Sequence, residues 1–160
     1  MKSIELNITY SEYGNLEELS PKDKELAVKA IESTARSYAP YSEFHVGAAV
    51  RLSDGTIVTG SNQENIAYPS GLCAERTAMF YAAAQYPRLA MESIAIAAES
   101  GGSLCRTPAT PCGACRQVMA EYQSLGGKPM SIILVGAEKI WKFDKVDDIL
   151  PLIFDSLGKK

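Results

Sequence analysis

Two cysteine-bearing segments constrain this chain more than any other feature, namely Cys73-Ala74-Glu75-Arg76 and Pro111-Cys112-Gly113-Ala114-Cys115. Two cysteines separated by two residues can bind one ion from the first turn of a helix, and Cys73 can supply a third thiolate. A catalytic zinc ion has three protein ligands and leaves the fourth position to water. The segments therefore predict a catalytic zinc site, and the fold must bring them to one point.

Glu75 and Arg76 extend this prediction from a metal site to a reaction. Zinc lowers the pKa of its water molecule, and Glu75 can move protons between that water and a substrate. Three thiolates and one Zn²⁺ sum to a charge of about −1, and Arg76 can offset it by hydrogen bonding to a ligand sulfur. The pattern indicates hydrolytic deamination of an amino-substituted heterocycle, with Glu75 as the catalytic residue.

Two other ligand sets remain open from the residues alone. A structural zinc site could use four thiolates, with Cys105 joining the other cysteines, but it leaves the position of Glu75 unexplained. A site of one histidine and two cysteines would need His45, the single histidine of the chain, in place of Cys73. We expect three thiolates, with His45 in a loop or at the rim of a pocket.

Length and charge narrow the class of protein. The 160 residues predict a single domain over 1–160, with residues 1–19 as an N-terminal extension. A net charge of −3 without a basic stripe predicts no nucleic-acid partner and favours a small uncharged substrate. There is no long apolar run and no signal-peptide pattern at the N-terminus, so we expect no membrane association and a cytoplasmic protein with reduced thiols.

The order of the predicted elements indicates the fold class. A helix is predicted to begin at Ser20-Pro21 and to end at Ala39-Pro40. The other predicted elements are strands at 46–52, 56–62, 93–98 and 130–135, helices at 73–85 and 112–125, and a short helix at 146–157 that is interrupted at Pro151. This order favours a three-layer α/β/α sandwich around a mixed sheet.

Several further motifs give the sequence a family resemblance. The chain resembles the cytidine deaminases of the small homotetrameric, zinc-dependent class, which implies an α/β/α fold with a mixed five-stranded sheet. The segments that carry the resemblance are Tyr41-Ser42-Glu43-Phe44-His45-Val46-Gly47-Ala48, Asn62-Gln63-Glu64-Asn65, Tyr68-Pro69, both cysteine segments, Arg116-Gln117, and Leu150-Pro151 with Phe154. It departs from the usual family pattern at His45, where Pro is frequent, and at Asp155, where Gly is common.

The resemblance implies roles for individual residues. Asn62 and Glu64 are expected to hydrogen-bond the ribose hydroxyls, and Phe44 to pack on the pyrimidine ring. The Ala74 backbone N–H is expected to meet the ring carbonyl oxygen, and the Thr110 carbonyl to accept from the departing ammonia. Metal binding is assigned to Cys73, Cys112 and Cys115, with one Zn²⁺ per subunit, beside the catalytic Glu75 and the supporting Arg76.

The resemblance also implies an assembly and a substrate. Tyr68 and Phe154 are expected to reach a neighbouring subunit's pocket, so that a homotetramer shares its active sites. The implied reaction is conversion of cytidine and 2′-deoxycytidine to uridine and 2′-deoxyuridine, with release of ammonia, in pyrimidine salvage. Two alternatives remain: a deaminase of another aminopyrimidine nucleoside such as a blasticidin-type antibiotic, and a zinc-stabilised binding module without chemistry.

Overall fold

A computed structural model describes residues 1–155 of the chain. The three α-helices are α1 (Pro21–Thr34), α2 (Ala74–Gln85) and α3 (Gly113–Gly126). The strands are β1 (Ser11–Tyr13), β2 (Phe44–Leu52), β3 (Ile57–Ser61), β4 (Met91–Ser100), β5 (Ser103–Leu104), β6 (Ser131–Val135) and β7 (Ile140–Phe143). Short 3-10 turns occur at Leu16–Glu18, Tyr68–Ser70 and Val146–Asp148.

All the strands belong to one mixed sheet. Its order is β1-β7-β6-β4-β2-β3, and β5 pairs with the end of β4. β4 and β6 are parallel and are joined through α3, whereas the other pairs, including the β2–β3 hairpin, are antiparallel. The predicted mixed sheet is confirmed, but it has seven strands instead of five because short strands β1 and β5 add to it.

The sheet is buried on both faces, which is the reason that its central strands are continuously apolar. In β4, Ile94 and Ile96 pack with α2 and α3, whereas Ala95 and Ala97 pack with α1. This alternation follows from the two-residue repeat of a strand. One helix on one face and two on the other confirm the α/β/α class, and both cysteine-bearing helices lie on the same face.

The first helix begins as predicted and ends earlier. The Ser20 side chain accepts a hydrogen bond from the Asp23 backbone N–H, and Pro21 occupies the first helical position. The helix ends at Thr34 because Tyr38 joins a different backbone partner, donating its N–H to the Asn62 carbonyl at 2.9 Å. The prediction that the helix continues to Ala39-Pro40 is wrong.

The predicted helix at 146–157 is also wrong over the residues that the structure describes. Helical hydrogen bonding is limited to the 3-10 turn Val146–Asp148, and residues 149–155 form no helix. Pro151 lacks a backbone N–H and disfavours helical geometry at the residue before it, which explains why the apolar spacing does not produce a helix.

A glycine in β3 sets the position of α2. A Cβ atom at Gly60 would lie 2.5 Å from the Ala78 nitrogen and 2.8 Å from the Ala74 carbonyl oxygen. The first two turns of α2 therefore rest directly on the strand backbone. Because Cys73 and Glu75 belong to this end of α2, Gly60 fixes their distance from the sheet.

We expect Gly60→Ala to displace α2 and to destabilise the protein by about 1–3 kcal/mol, since backbone atoms cannot move aside as a side chain can. Chemical denaturation measures the free energy of unfolding, and zinc content measures the displacement of Cys73. Gly14→Ala is the matched control, because its nearest contact, 3.0 Å away, is the flexible Glu18 carboxylate. Equal stability of the two variants would contradict the role given to Gly60.

Among residues 1–155, no helix has both the length and the apolar character needed to cross a membrane.

Candidate active site

The two cysteine segments meet where α2 and α3 begin. Cys73 is the residue before α2 and Cys112 the residue before α3, both in extended conformation. Neither helix start has a hydrogen-bonded side-chain cap. The first N–H groups of a helix lack partners within it and carry partial positive charge, which favours thiolate over thiol. Two helix starts thus direct positive potential towards the same sulfurs.

The three predicted ligand sulfurs form a compact group. The Sγ atoms of Cys73, Cys112 and Cys115 all lie within 4.8 Å of one another. The Cys73–Cys112 distance is 4.0 Å and the Cys112–Cys115 distance is 3.5 Å. A tetrahedral zinc ion with Zn–S bonds of about 2.3 Å separates its sulfurs by roughly 3.8 Å. The three sulfurs therefore fit a zinc ion.

The alternative ligands lie outside this group in the part of the chain that the structure describes. Cys105 follows β5 and is not a member of the sulfur group. His45 is the second residue of β2, where we expected a loop or a pocket rim, and its Nδ1 lies 2.6 Å from the Ser37 hydroxyl. The geometry thus favours three thiolates over the four-sulfur set and the set with His45.

Hydrogen bonds and charge alter the acidity of the sulfurs. The nearby Cys115 thiol, and after it the hydrogen bond from Arg76, lowers the pKa of Cys73 to about 5, although burial acts in the opposite direction. The interaction with Cys73, together with burial, raises the pKa of Cys115. Without metal, the cluster therefore holds a thiolate at Cys73 that is stabilised by a neighbouring thiol.

Glu75 lies in the first turn of α2 and is only 5% exposed. Burial raises the pKa of this carboxyl, and the charge on Cys73 raises it further. The Cys115 thiol and the charge of Arg76 act in the opposite direction and lower the pKa. Glu75 is thus beside the sulfurs, and its carboxylate is protonated more readily than that of an exposed glutamate.

Arg76 contacts the sulfur cluster from the next position of α2. Its Nη2 donates to the Cys73 sulfur at 3.6 Å. Its Nε is buried and has no hydrogen-bond partner among the described residues. The guanidinium therefore places positive charge against a ligand sulfur, as predicted.

The chain before α3 is held by a different arginine. Arg116 donates from Nε to the Pro111 carbonyl and from Nη1 to the Ile149 carbonyl, both at 2.8 Å. Close backbone contact adds a second restraint, because a Cβ at Gly136 would lie 2.8 Å from backbone atoms of the 106–108 segment. These contacts fix the approach of the chain to Cys112.

A cavity of about 440 Å³ opens beside Cys73 and Arg76. Asn62, Glu64 and Tyr68, three of the residues predicted to bind substrate, also line it. Cys73 of the sulfur cluster and these three side chains are thus accessible from one cavity.

The backbone joins the cavity wall directly to Cys73. Gln63 exchanges two 2.9 Å backbone hydrogen bonds with Leu72, and its neighbour Glu64 donates its N–H to the Tyr38 carbonyl at 2.8 Å. Residues 62–64 are therefore hydrogen-bonded to Tyr38 on one side and to Leu72, the residue that precedes Cys73, on the other.

The side chains of Asn62 and Glu64 make hydrogen bonds to residues 41–46. The Asn62 amide accepts from the Val46 N–H and donates to the Phe44 carbonyl, both at 2.8 Å. Glu64 accepts from the Tyr41 N–H at 2.9 Å and from the Ser42 hydroxyl. The Ser42 hydroxyl, followed by the Tyr41 N–H, lowers the pKa of Glu64, which therefore remains a carboxylate at neutral pH.

The cavity lining does not include Glu75, Cys112 or Cys115, and it does not include four of the residues predicted to bind substrate. Ala74 is the first residue of α2, and Thr110 lies two residues before Cys112. Phe44 is the first residue of β2 and is tied to Asn62 through its carbonyl. Phe154 is exposed beside α3, where its carbonyl accepts a 2.8 Å hydrogen bond from Gln117.

Two residues that shape the site, Gly60 and Ser42, were not predicted individually. Gly60 lies inside a predicted strand, where glycine can signal a close backbone approach. Ser42 lies inside a quoted motif, but its contact with Glu64 spans 22 positions of sequence. No local pattern predicts such a contact. For Gly60, the presence of a glycine within a predicted strand was a usable signal of a close backbone approach.

Comparison with known proteins gives the same family along most of the chain. Residues 20–125 match the family description "Cytidine and deoxycytidylate deaminase zinc-binding region". A cytidine deaminase of Halalkalibacterium halodurans is 44% identical over 100 residues, which are 62% of this chain and 71% of that protein. A cytidine deaminase of Sporosarcina psychrophila is 43% identical over 99 residues, 62% of this chain and 68% of its own.

Solved structures agree with this similarity. The crystal structure of a cytidine deaminase from Burkholderia pseudomallei has a TM-score of 0.69 and 37% sequence identity, covering 81% of this chain and 97% of that one. The cytidine deaminase from Mycobacterium tuberculosis gives a TM-score of 0.65 and 32% identity, covering 82% of this chain and 96% of its own.

Proposed function

Since this chain belongs to the cytidine and deoxycytidylate deaminase family, we propose that it hydrolyses cytidine and 2′-deoxycytidine to uridine and 2′-deoxyuridine with release of ammonia. The observation that carries the proposal is the grouping of three sulfurs beside a buried carboxylate at one end of α2. A structural zinc site needs neither an open coordination position nor a buried acid next to it. The relatives named cytidine deaminase support the choice of substrate.

The reaction replaces the exocyclic amine of the pyrimidine by an oxygen from water. The chemistry that a zinc ion supplies here when bound is a water molecule of lowered pKa. Glu75 takes one proton from the attacking water and delivers it to the ring nitrogen N3 as the bond from the water oxygen to C4 forms. It then takes the second proton, from the hydroxyl now on C4, and passes it to the amine, which leaves as ammonia when the C4–N bond breaks and C4 becomes a carbonyl. Arg76 balances the negative charge of the sulfur that it contacts.

The remaining roles concern binding and orientation of the nucleoside. Asn62 and Glu64 are positioned at the cavity to meet the ribose, and Phe44 to pack on the ring. The Ala74 N–H has no acceptor within α2, because it is one of the first N–H groups of the helix, and it is available to the ring carbonyl oxygen. The Thr110 carbonyl would accept from the departing ammonia.

A direct test follows the ultraviolet change from cytidine to uridine with purified protein of measured zinc content. We expect turnover of both cytidine and 2′-deoxycytidine. Absence of turnover with a full complement of zinc would contradict the proposal, as would turnover limited to a different aminopyrimidine nucleoside such as a blasticidin-type antibiotic.

We also propose that the chain acts as a homotetramer in the cytoplasm and that its subunits share active sites. The exposure of Tyr68 and Phe154, 73% and 67%, supports this, because large apolar side chains on a surface favour contact with another chain. None of the four cysteines, all within the described residues, forms a disulfide, which supports a reducing compartment.

We expect Phe154→Ala to raise KM for cytidine by about tenfold or to weaken the tetramer, because an aromatic side chain would be lost from a neighbour's pocket. Steady-state kinetics and sedimentation measure the two effects. Ile4→Ala is a control of similar exposure, 77%, in the N-terminal extension. If the two variants behave alike, Phe154 has no role in a shared site.

A further inference from the structure

A single hydroxyl group links two residues that would contact different halves of a nucleoside. The Ser42 hydroxyl donates to Glu64 Oε1 and accepts from the Phe44 backbone N–H at 3.1 Å. Glu64 is the residue proposed to meet the sugar, and Phe44 the residue proposed to meet the base. Ser42 has no assigned role, and it lies between them.

Both carboxylate oxygens of Glu64 accept hydrogen bonds from the loop that contains Tyr41 and Ser42. Oε2 accepts from the Tyr41 N–H at 2.9 Å and from the Ser42 N–H at 3.3 Å, while Oε1 accepts from the Ser42 hydroxyl. An ionised carboxylate offers about four acceptor positions. Three are therefore used within the chain, and the orientation of the remaining one depends on where Ser42 holds Oε1.

The loop that follows Ser42 needs such a restraint. Glu43 has a φ of +54°, and no other non-glycine residue in the described range has a positive φ. Its N–H donates to the Ala39 carbonyl at 3.0 Å, which closes a tight turn immediately before Phe44. A residue in a strained conformation persists where surrounding contacts fix it. For Glu43, the Ser42 hydroxyl supplies such contacts, because it bonds both to Glu64 and to the N–H of Phe44, the residue after Glu43.

The other anchors of Phe44 do not reach Glu64. Asn62 holds the carbonyl of Phe44 and the N–H of Val46, which fixes the start of β2. The N–H of Phe44 is held by Ser42. Loss of the Ser42 hydroxyl would leave β2 and the backbone contacts of Glu64 Oε2 in place, but it would remove the group that joins Glu64 Oε1 to the Phe44 N–H.

We propose that Ser42 is a positioning residue that sets the sugar-binding carboxylate of Glu64 and the base-stacking ring of Phe44 in a fixed relation to each other. This inference rests on the proposed function. It predicts an effect on nucleoside binding that depends on the hydroxyl and passes through Glu64.

The experiment compares wild type with Ser42→Ala, Ser42→Thr, Glu64→Ala and the double variant Ser42→Ala/Glu64→Ala. KM and kcat are measured with cytidine, and Kd for uridine is measured by calorimetry. We expect Ser42→Ala to raise KM and Kd about tenfold with kcat within about twofold of wild type, because a hydrogen bond to a charged group is lost. Ser42→Thr keeps the hydroxyl at an exposed position and should remain within about twofold of wild type.

The double variant separates positioning from general loss of structure. If Ser42 acts through Glu64, Ser42→Ala should have little further effect in the Glu64→Ala protein. Ser103→Ala, at an exposed residue of β5, is the control. The inference would be overturned if the effects of Ser42→Ala and Glu64→Ala on KM and Kd multiply in the double variant. It would also be overturned if Ser42→Ala leaves KM and Kd unchanged, or if Ser42→Thr binds as weakly as Ser42→Ala.

The uridine measurement also distinguishes this inference from the proposed function. A wild-type protein that binds uridine but does not convert cytidine would contradict the function, while the Kd values would still support or overturn the role of Ser42. A wild-type protein that binds neither compound would overturn both.

Discussion

Replacing Glu75 by Gln should reduce kcat for cytidine by about a thousandfold or more while the protein keeps its zinc. Glutamine has nearly the same shape, so the first turn of α2 and the cysteine beside it should stay in place. It cannot accept and return a proton, and positioned acid–base groups contribute roughly 10² to 10⁴ in rate. The measurement is the ultraviolet change from cytidine to uridine, with metal content determined on the same samples.

Glu121→Gln is the matched control for this variant, because Glu121 is an exposed glutamate on α3. It should retain wild-type activity. Substantial turnover by Glu75→Gln would remove Glu75 from the catalytic role, and loss of zinc from that variant would show a contribution to metal binding instead.

The second large effect should come from Cys115→Ala, which we expect to lose zinc, activity and stability together. Cys115 is fully buried, and its sulfur belongs to the group of three. A ligand that binds only the folded state stabilises it by about 4 kcal/mol at a concentration of about 1,000 times Kd. The variant should lose this contribution, which thermal unfolding with and without a chelator measures.

Cys105→Ala provides the comparison, because Cys105 is also a free cysteine but is not in the sulfur group. It should keep one zinc per chain and full activity. Equal loss of zinc from both variants would favour a structural site with four thiolates.

The elements that surround the cysteines were the most predictable part of the fold. Ser20 and Pro21 marked the start of α1, and Gly127, with a φ of +64°, follows the end of α3 as its cap. The helices at 73–85 and 112–125 are confirmed within one residue at each end. Their signals are local, since helix caps and apolar spacing depend on neighbouring residues.

The features that were missed depend on residues far apart in the sequence. β1 is an edge strand because residues 11–13 pair with β7, more than 120 positions later. The extension was expected to form a surface arm or an edge strand, but three residues carry too little pattern to locate the strand within it. The early end of α1 depends on Asn62, whose carbonyl accepts the Tyr38 N–H. The segment 146–157 was predicted as a short helix interrupted at Pro151, but helical geometry ends before Pro151 and does not resume up to residue 155.

The site was predictable in its chemistry and less so in its construction. The residue types at 73, 75, 112 and 115 indicated zinc and a proton carrier, because few other uses fit thiolates in that arrangement. Ser42 and Gly60 could not be assigned in the same way. Their roles arise from a hydrogen bond and a close contact that exist only in the folded chain.

The contact at Gly60 has a consequence for protein engineering. The segment that carries Cys73 and Glu75 rests on main-chain atoms of β3, and main-chain atoms cannot be trimmed by substitution. A redesign that seeks to admit bulkier nucleosides therefore has little freedom beneath α2. Mutant libraries should instead be directed at residues 65–67 and 69–70 of the connecting loop, which are exposed, leave the metal-bearing helices undisturbed and omit Tyr68 of the proposed shared site.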